Sequence, residues 1–193
     1  MRVITGSARG TKLVAPTDCD VRPMLDRVKE SLFNILGDRA CSGTVLDLFS
    51  GTGGLGIEAL SRGAERCVFV ESGMALVDCI RSNLARTRLA DKATIIRADV
   101  MSGPGAIRLD SAPVSVMLCD PPYAKVASPT ERASLCKAIE RWLAEIGISP
   151  EFVGVVHHGP PSTIMWAFDR LALSDSRLYG KSVLSFFRPH EQG

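Results

Sequence analysis

The chain has 193 residues, a formal net charge of +2 and a sequence pI of about 8.3. Its composition, 46% hydrophobic and 23% charged, is typical of a globular protein and excludes a disordered chain or a coiled coil. The charge also falls far short of the basicity of a dedicated nucleic-acid-binding module. Its apolar runs are much shorter than the roughly 20 residues of a membrane span, and the first residues lack the apolar stretch of a secretory signal. We therefore expect a cytoplasmic protein.

The six cysteines predict neither a metal site nor disulfide bonds. The closest two, Cys67 and Cys79, are too far apart for a C-x-x-C pair. Cys67, Cys79 and Cys119 also lie in apolar segments, where a free thiol behaves as a small hydrophobic side chain. Reduced cysteines and no bound metal are the expectation.

The first 40 residues are predicted to form a small extension. Val3–Thr5 and Lys12–Ala15 flank a glycine-containing turn and predict a two-stranded ribbon. Pro23 suits the first turn of a helix. The apolar face of that helix consists of Leu25, Val28, Leu32 and Leu36.

From residue 44 onward, short apolar segments alternate with longer segments of helical spacing. The strands covered on both faces are predicted at Thr44–Phe49, Arg66–Glu71, Ala93–Arg97, Val114–Cys119 and Glu151–Val156. The helices between them are predicted at Gly54–Arg62, Met74–Arg88 and Thr130–Ile146. An antiparallel hairpin is predicted from the segments Met165–Asp175 and Ser182–Arg188. The pattern predicts one α/β domain over residues 1–193, with a mostly parallel seven-stranded sheet, helices on both faces and a core at 41–193.

A glycine loop directly follows the first predicted strand. Gly51, Gly53 and Gly56 fit G-x-G-x-x-G, and Glu71 ends the second predicted strand. Ligands of open α/β sheets bind at the carboxyl ends of strands, where glycines let the backbone approach them closely. An acid at the end of the second strand accepts hydrogen bonds from ribose hydroxyls. The pattern therefore predicts a site for a ribose-bearing ligand, although glycines can also serve only to turn the chain.

An acid just before this loop narrows the choice of ligand. Asp47 would repel a pyrophosphate but suits the sulfonium and ammonium groups of S-adenosylmethionine. The pattern Asp47-x-Phe49-x-Gly51-x-Gly53 resembles the first motif of class I methyltransferases, which have a Rossmann-like fold. This resemblance implies that Asp47 and the loop backbone hold the methionine moiety and that Glu71 holds the ribose. Asp99, past the third strand, matches the position that meets adenine, although it could instead cap the next turn.

Asp120-Pro121-Pro122-Tyr123 follows the fourth predicted strand. Two prolines stiffen the loop and cannot donate hydrogen bonds, so the carbonyl groups there are free to accept. Asp120 and the Pro121 carbonyl can accept the two hydrogens of an exocyclic amine, while Tyr123 stacks on the ring. The four residues resemble the (Asp/Asn)-Pro-Pro-(Tyr/Phe) motif of amino-methyltransferases and are our candidate catalytic group.

Further segments resemble the bacterial 16S ribosomal RNA guanine-N2 methyltransferase (RsmD-like) family. These segments are the helix Arg22–Leu36, the opening Arg2–Leu13 and the block Gly56–Ala64. The resemblance implies a monomeric enzyme that uses S-adenosylmethionine to methylate one guanine of small-subunit RNA on an assembling particle. It also makes the basic residues of the N-terminal extension candidates for contact with RNA. These candidates are Arg2, Arg9, Lys12, Arg22, Arg27 and Lys29.

Three alternatives remain open from the sequence. The same tetrapeptide serves methyltransferases that act on DNA adenine N6 or on protein glutamine. The fold could also be kept in a catalytically silent RNA-binding assembly factor. The basic residues could be ordinary surface charge, with Arg27 or Lys29 paired to a nearby acid. We also expect a structural role for His157 and His158, which follow the fifth strand without a metal or nucleophile motif.

Overall fold

Seven strands form one sheet in the computed structural model, which describes residues 1–16, 24–107, 112–161 and 163–190. The strands are β1 (Thr44–Leu48), β2 (Arg66–Glu71), β3 (Ala93–Arg97), β4 (Val114–Cys119), β5 (Ile148–His158), β6 (Leu171–Tyr179) and β7 (Ser182–Pro189). Their order across the sheet is β3-β2-β1-β4-β5-β7-β6. Strands β1 to β5 run parallel, and β7 is antiparallel to both of its neighbours. The predicted mostly parallel sheet with an antiparallel C-terminal hairpin is confirmed.

Helices cover both faces of this sheet. They are α1 (Asp26–Leu36), α2 (Gly54–Arg62), α3 (Met74–Thr87), α4 (Ala124–Ala127) and α5 (Pro129–Ile146). Helices α1, α2 and α3 contribute to the core on one face, and α5 with Trp142 contributes to the core on the other. Because both faces are covered, the central strands are mostly apolar, and the exceptions include Asp47 in β1 and Glu71 at the end of β2. Among the described residues, no helix is both long and apolar enough to cross a membrane.

Several elements differ from the sequence prediction: β5 is longer, at Ile148–His158, β6 ends at Tyr179, and other ends differ by one residue. The short helix α4 was not predicted, and β6 begins at Leu171 rather than at Met165. Two side chains of α5 form hydrogen bonds with the backbone just before β6. Arg132 donates to the Met165 carbonyl, and Glu140 accepts from the backbone N–H groups of Asp169 and Arg170. These backbone groups are therefore bound to a helix and cannot extend the strand ladder.

The N-terminal residues form the predicted small ribbon. Arg2 and Lys12 make an antiparallel bridge, and the Val3 and Gly10 N–H groups donate to the Thr11 and Val3 carbonyls at 3.0 and 2.9 Å. The Asn83 side chain on α3 accepts from the Val14 N–H and donates to the Val14 carbonyl. The ribbon is thus held directly against the helices of one sheet face.

A buried carboxylate, Glu58 on α2, anchors the same ribbon. It accepts from the Ile4 and Thr5 N–H groups at 2.7 and 3.0 Å and from Arg62 Nε at 2.8 Å. Lys29 Nζ lies 3.5 Å from Glu58 Oε2 and donates to the Arg2 carbonyl at 2.7 Å. The Lys29 side chain is only 1% exposed. The prediction that Lys29 faces RNA is therefore wrong, because this ammonium group is buried and paired inside the fold.

Candidate active site

The glycine loop connects β1 to α2 through three residues in the left-handed backbone region. The φ angles are +56° at Phe49, +56° at Gly51 and +81° at Gly53. Glycine adopts this conformation without strain, whereas Phe49 adopts it as a non-glycine residue, and such strain concentrates at functional sites. The loop therefore turns sharply at the carboxyl end of β1, where a ligand of this sheet would bind.

Two further glycines bring other elements close to the loop. A Cβ atom at Gly56 would contact Phe69 and would lie 2.6 Å from Cys67 Sγ on β2. A Cβ atom at Gly54 would lie 2.6 Å from the Met1 sulfur. Gly56 thus lets α2 pack tightly on β2, and Gly54 lets the N-terminal residue lie over the first turn of α2.

Glu71 lies beside the loop, as the sequence predicts. Its Oε2 accepts from the Gly51 N–H and its Oε1 accepts from the Gly73 N–H, both at 2.9 Å. These two bonds fix the carboxylate between the glycine loop and the first turn of α3. The second strand therefore presents an oriented acid where a ribose would need one.

Asp47 lies behind the same loop and is buried. Its Oδ2 accepts from the Gly56 N–H at 2.9 Å. Burial raises the pKa of the Asp47 carboxyl to about 8; the charges of Asp120 and Glu71 act in the same direction, and the Gly56 N–H opposes them. Among the described residues, no Lys or Arg pairs with Asp47 or Glu71. A pKa of about 8 leaves Asp47 mostly protonated at neutral pH, and a cationic ligand would favour its ionised form.

Asp99 follows β3 at the same edge of the sheet. Its Oδ1 accepts from the Met101 N–H at 2.9 Å and caps the short turn at Val100–Ser102. The capping alternative that the sequence left open is thus observed. Contact between the other oxygen of Asp99 and an adenine stays a prediction.

The tetrapeptide lies next to the glycine loop. The Asp120 N–H donates to the carbonyl of Leu48, the last residue of β1, at 3.4 Å. The Pro122 and Tyr123 carbonyls accept hydrogen bonds that begin α4, whereas the Pro121 carbonyl accepts none from the residues that the structure describes. Tyr123 is 51% exposed. An acid, an available carbonyl and an accessible aromatic ring are therefore grouped at the carboxyl end of β4.

His157 contacts this group, which sequence reasoning did not predict. Its Nδ1 lies 2.7 Å from Asp120 Oδ1, and its ring meets the Tyr123 ring edge-on, with centroids 6.5 Å apart. For His158, the neighbouring residue, the contacts fit the expected structural role. Its Nδ1 donates to the Gly159 carbonyl, and its Nε2 lies 2.8 Å from Ser185 Oγ. Burial lowers the pKa of His158.

The predicted RNA-binding residues divide into three groups. Arg2, Arg9, Lys12 and Arg27 are exposed. Arg2 pairs with Asp26 at 3.2 Å, and both side chains of this pair are open to solvent. Arg22 lies outside the described residues, and Lys29 is buried as described above. RNA contact by the four exposed basic residues stays a prediction.

Known proteins resemble this chain along most of its length. The family described as Conserved hypothetical protein 95 matches residues 1–188. YlbH of Bacillus subtilis (strain 168), provisionally named as an rRNA methyltransferase, is 42% identical over 123 residues, which cover 64% of this chain and 67% of that protein. Ribosomal RNA small subunit methyltransferase D of Escherichia coli (strain K12) is 37% identical over 123 residues, which cover 64% of this chain and 60% of that relative. The match thus spans less than two thirds of the E. coli protein.

Solved structures extend the similarity to the whole chain. An Escherichia coli protein, yhhF, provisionally described as a methyltransferase, superposes with a TM-score of 0.77 at 27% identity. The superposition covers 100% of this chain and 99% of the E. coli chain. It agrees with the class I methyltransferase fold that the sequence predicts.

Proposed function

We propose that this chain, which belongs to the family described as conserved hypothetical protein 95, methylates the exocyclic N2 amine of one guanine in small-subunit (16S) ribosomal RNA. The methyl donor is S-adenosylmethionine. The observation that carries the proposal is the junction of β1 and β4, where the Asp120 N–H bonds the Leu48 carbonyl. Asp120 therefore lies beside the glycine loop, and this position supports an amine-binding role for Asp120–Tyr123. The choice of guanine N2 is supported by the family resemblance of the N-terminal helix and ribbon.

The residues around the glycine loop fit the cofactor. S-adenosylmethionine supplies an electrophilic methyl group on a positively charged sulfur when it is bound. The positive φ angles of Gly51 and Gly53 let the backbone approach a ligand without an intervening side chain. Glu71 is oriented to accept hydrogen bonds from the ribose. The cationic methionine end would favour the ionised form of Asp47 over its protonated form. Asp99 would meet adenine.

The tetrapeptide would prepare the amine for attack. The lone pair of a guanine amine is delocalised into the ring, which makes it a poor nucleophile. Asp120 and the Pro121 carbonyl would accept its two hydrogens, favour a pyramidal nitrogen and aim the lone pair at the methyl group, largely an effect of proximity and orientation. Tyr123 would stack on the base, which contributes about 1–3 kcal/mol. Asp120 would accept the proton that the amine loses once the new N–C bond has formed.

The exposed basic residues of the extension would hold the RNA. Arg2, Arg9, Lys12 and Arg27 can neutralise phosphates, and such contacts position a nucleic acid without reading its sequence. A guanine within an RNA helix must first leave the stack, or must lie in a loop that is already unstacked. We propose that the protein binds the assembling small subunit as a monomer.

The test uses small ribosomal subunits from cells that lack this protein, with radiolabelled S-adenosylmethionine. The wild type should place label in N2-methylguanosine, identified by mass spectrometry of digested nucleosides. Asp120→Ala should reduce the rate by about 100- to 1000-fold, the usual effect of removing one preorganised hydrogen-bonding group. Asp175→Ala, which removes a partly exposed acid on β6 that pairs with Arg177, is the matched control and should act like the wild type.

Other outcomes would redirect the proposal. Label in duplex DNA or in a protein glutamine, with none in ribosomal RNA, would indicate another amino-methyltransferase. Cofactor binding without any methyl transfer would favour a silent RNA-binding assembly factor. Absence of cofactor binding would show that the interpretation of the glycine loop is wrong.

A further inference from the structure

The register between β4 and β5 places His157 beside Asp120. Cys119, the last residue of β4, pairs with Val156 in this parallel ladder. Asp120 and His157 are the residues that follow this last pair. Residues paired in a parallel register point to the same face of the sheet. The resulting distance of 2.7 Å between His157 Nδ1 and Asp120 Oδ1 is that of a strong hydrogen bond.

The two neighbouring histidines use their nitrogens differently. His158 has a partner for both ring nitrogens, as a buried histidine with a structural role should have. His157 is buried too, but its Nε2 has no hydrogen-bond partner among the residues that the structure describes. Its polar contact within the described chain is directed at Asp120, the acid of the tetrapeptide.

We propose that His157 is a positioning residue that orients Asp120 for the incoming amine, an inference that rests on the proposed function. A carboxylate can only accept, so Nδ1 carries the proton and donates it to Oδ1. This bond holds the carboxylate in one rotamer and leaves Oδ2 for the amine hydrogen. The same imidazole ring packs against Tyr123. His157 therefore also sets the position of the acid relative to the ring that stacks on the base.

The kinetic test compares two substitutions of His157. His157→Leu removes the donor, and we expect kcat to fall by about 10- to 100-fold, since small misplacements of a reacting group have effects of this size. The KM for S-adenosylmethionine should stay unchanged, because the hydrogen bond of His157 goes to Asp120 and its Nε2 bonds no described residue, so none reaches the glycine loop. His157→Asn keeps an amide donor near the position of Nδ1 and should restore kcat to within about threefold of the wild type. His158→Asn is the matched control for a buried histidine and should leave kcat nearly unchanged.

A second measurement does not depend on activity. Long-range ¹H–¹⁵N NMR spectra of the cofactor-free protein report which nitrogen of each histidine carries the proton. We expect the Nδ1–H tautomer for His157 in the wild type and its loss in Asp120→Ala, with His158 unchanged. A His157 tautomer that does not respond to Asp120→Ala would overturn the inference, even if His157→Leu does not fold.

The outcomes separate this inference from the proposed function. If Asp120→Ala is inactive while His157→Leu keeps kcat within twofold of the wild type, the inference fails and the proposed function stands. An Asn variant that is folded but as slow as the Leu variant would also overturn it. If the wild type methylates no ribosomal RNA, the proposed function fails, and the NMR result still decides whether His157 orients Asp120.

Discussion

Two buried acids differ in the charges around them: Glu58 lies on helix α2, and Asp47 accepts a hydrogen bond from the first turn of that helix. Glu58 accepts two backbone N–H groups and lies beside two cations, Lys29 and Arg62. Asp47 accepts one N–H group from Gly56 and has two further acids as its charged neighbours. Burial and those acids raise the pKa of Asp47 to about 8. One carboxylate is compensated within the protein, and the other is not.

This difference distinguishes a structural charge from a functional one. A buried charge that holds a fold together needs its partners inside the protein, since an uncompensated charge in the interior is strongly destabilising. A binding site for a cation gains affinity when its acids have no internal cation, because the ligand then supplies the missing charge. The Glu58 cluster (Glu58, Lys29 and Arg62) fastens the ribbon, whereas Asp47, Glu71 and Asp120 form a site that favours a positive ligand.

The largest expected effect follows the loss of Glu58. Glu58→Ala should lower the free energy of unfolding by about 3–5 kcal/mol, because Lys29 is left buried without its acid. The Ile4 and Thr5 N–H groups also lose their acceptor. Urea denaturation of the folded variant and the wild type measures the difference.

Asp26→Ala is the matched control for Glu58→Ala. It removes the acid of the exposed Arg2–Asp26 pair and should change the free energy of unfolding by at most about 1 kcal/mol. If Glu58→Ala were equally mild, the Glu58 cluster would not be what fastens the ribbon.

The burial of Lys29 could have been found in the sequence. Lys29 precedes Leu32 by three residues and Phe33 by four, so it shares the apolar face of α1 with both. The prediction of RNA contact followed from the positive charge of Lys29, whereas its position on the apolar face of α1 predicts burial. The glycine loop, Glu71 and the tetrapeptide were predictable because each lies at the end of a strand whose apolar run is unambiguous.

Other features depend on contacts between segments distant in sequence. Asp120 and His157 are 37 residues apart, and their contact follows from the register of β4 against β5. A run of apolar residues predicts a strand but does not fix which residue of its neighbour it faces. The start of β6 likewise depends on Arg132 and Glu140 of α5, which bind the backbone before it.

An intermediate effect is expected from Asp47 and pH. The pKa of Asp47 is about 8 in the folded protein against 3.8 for an unperturbed aspartate, so the folded state binds an extra proton between these pH values. The protonated Asp47 carboxyl therefore contributes its full stabilisation below about pH 4. As the pH rises from 4 to 8, the free energy of unfolding falls by up to about 1.4 kcal/mol per pH unit. Asp47→Asn should remove this slope, which urea denaturation between pH 5 and 8 measures.

Cofactor binding should show the converse dependence on pH. A cationic ligand favours ionised Asp47, so the affinity for S-adenosylmethionine should rise with pH until about pH 8 and then level off. In Asp47→Asn the affinity should be weaker and its rise with pH should be reduced, as isothermal titration calorimetry would show. An unchanged profile in this variant would mean that the cation is held by the other acids of the site.

The smallest expected effect concerns the exposed basic residues and extends the comparison to RNA. Lys12→Gln should weaken binding to small-subunit RNA by a few-fold, with little dependence on RNA sequence. The slope of log affinity against log salt concentration should fall by about one, because one phosphate contact releases about one counterion. Lys29→Gln should leave this salt slope unchanged in the folded protein and lower the free energy of unfolding instead, since its ammonium group compensates Glu58. A change of slope on substitution of the buried lysine would mean that the ribbon opens when RNA binds.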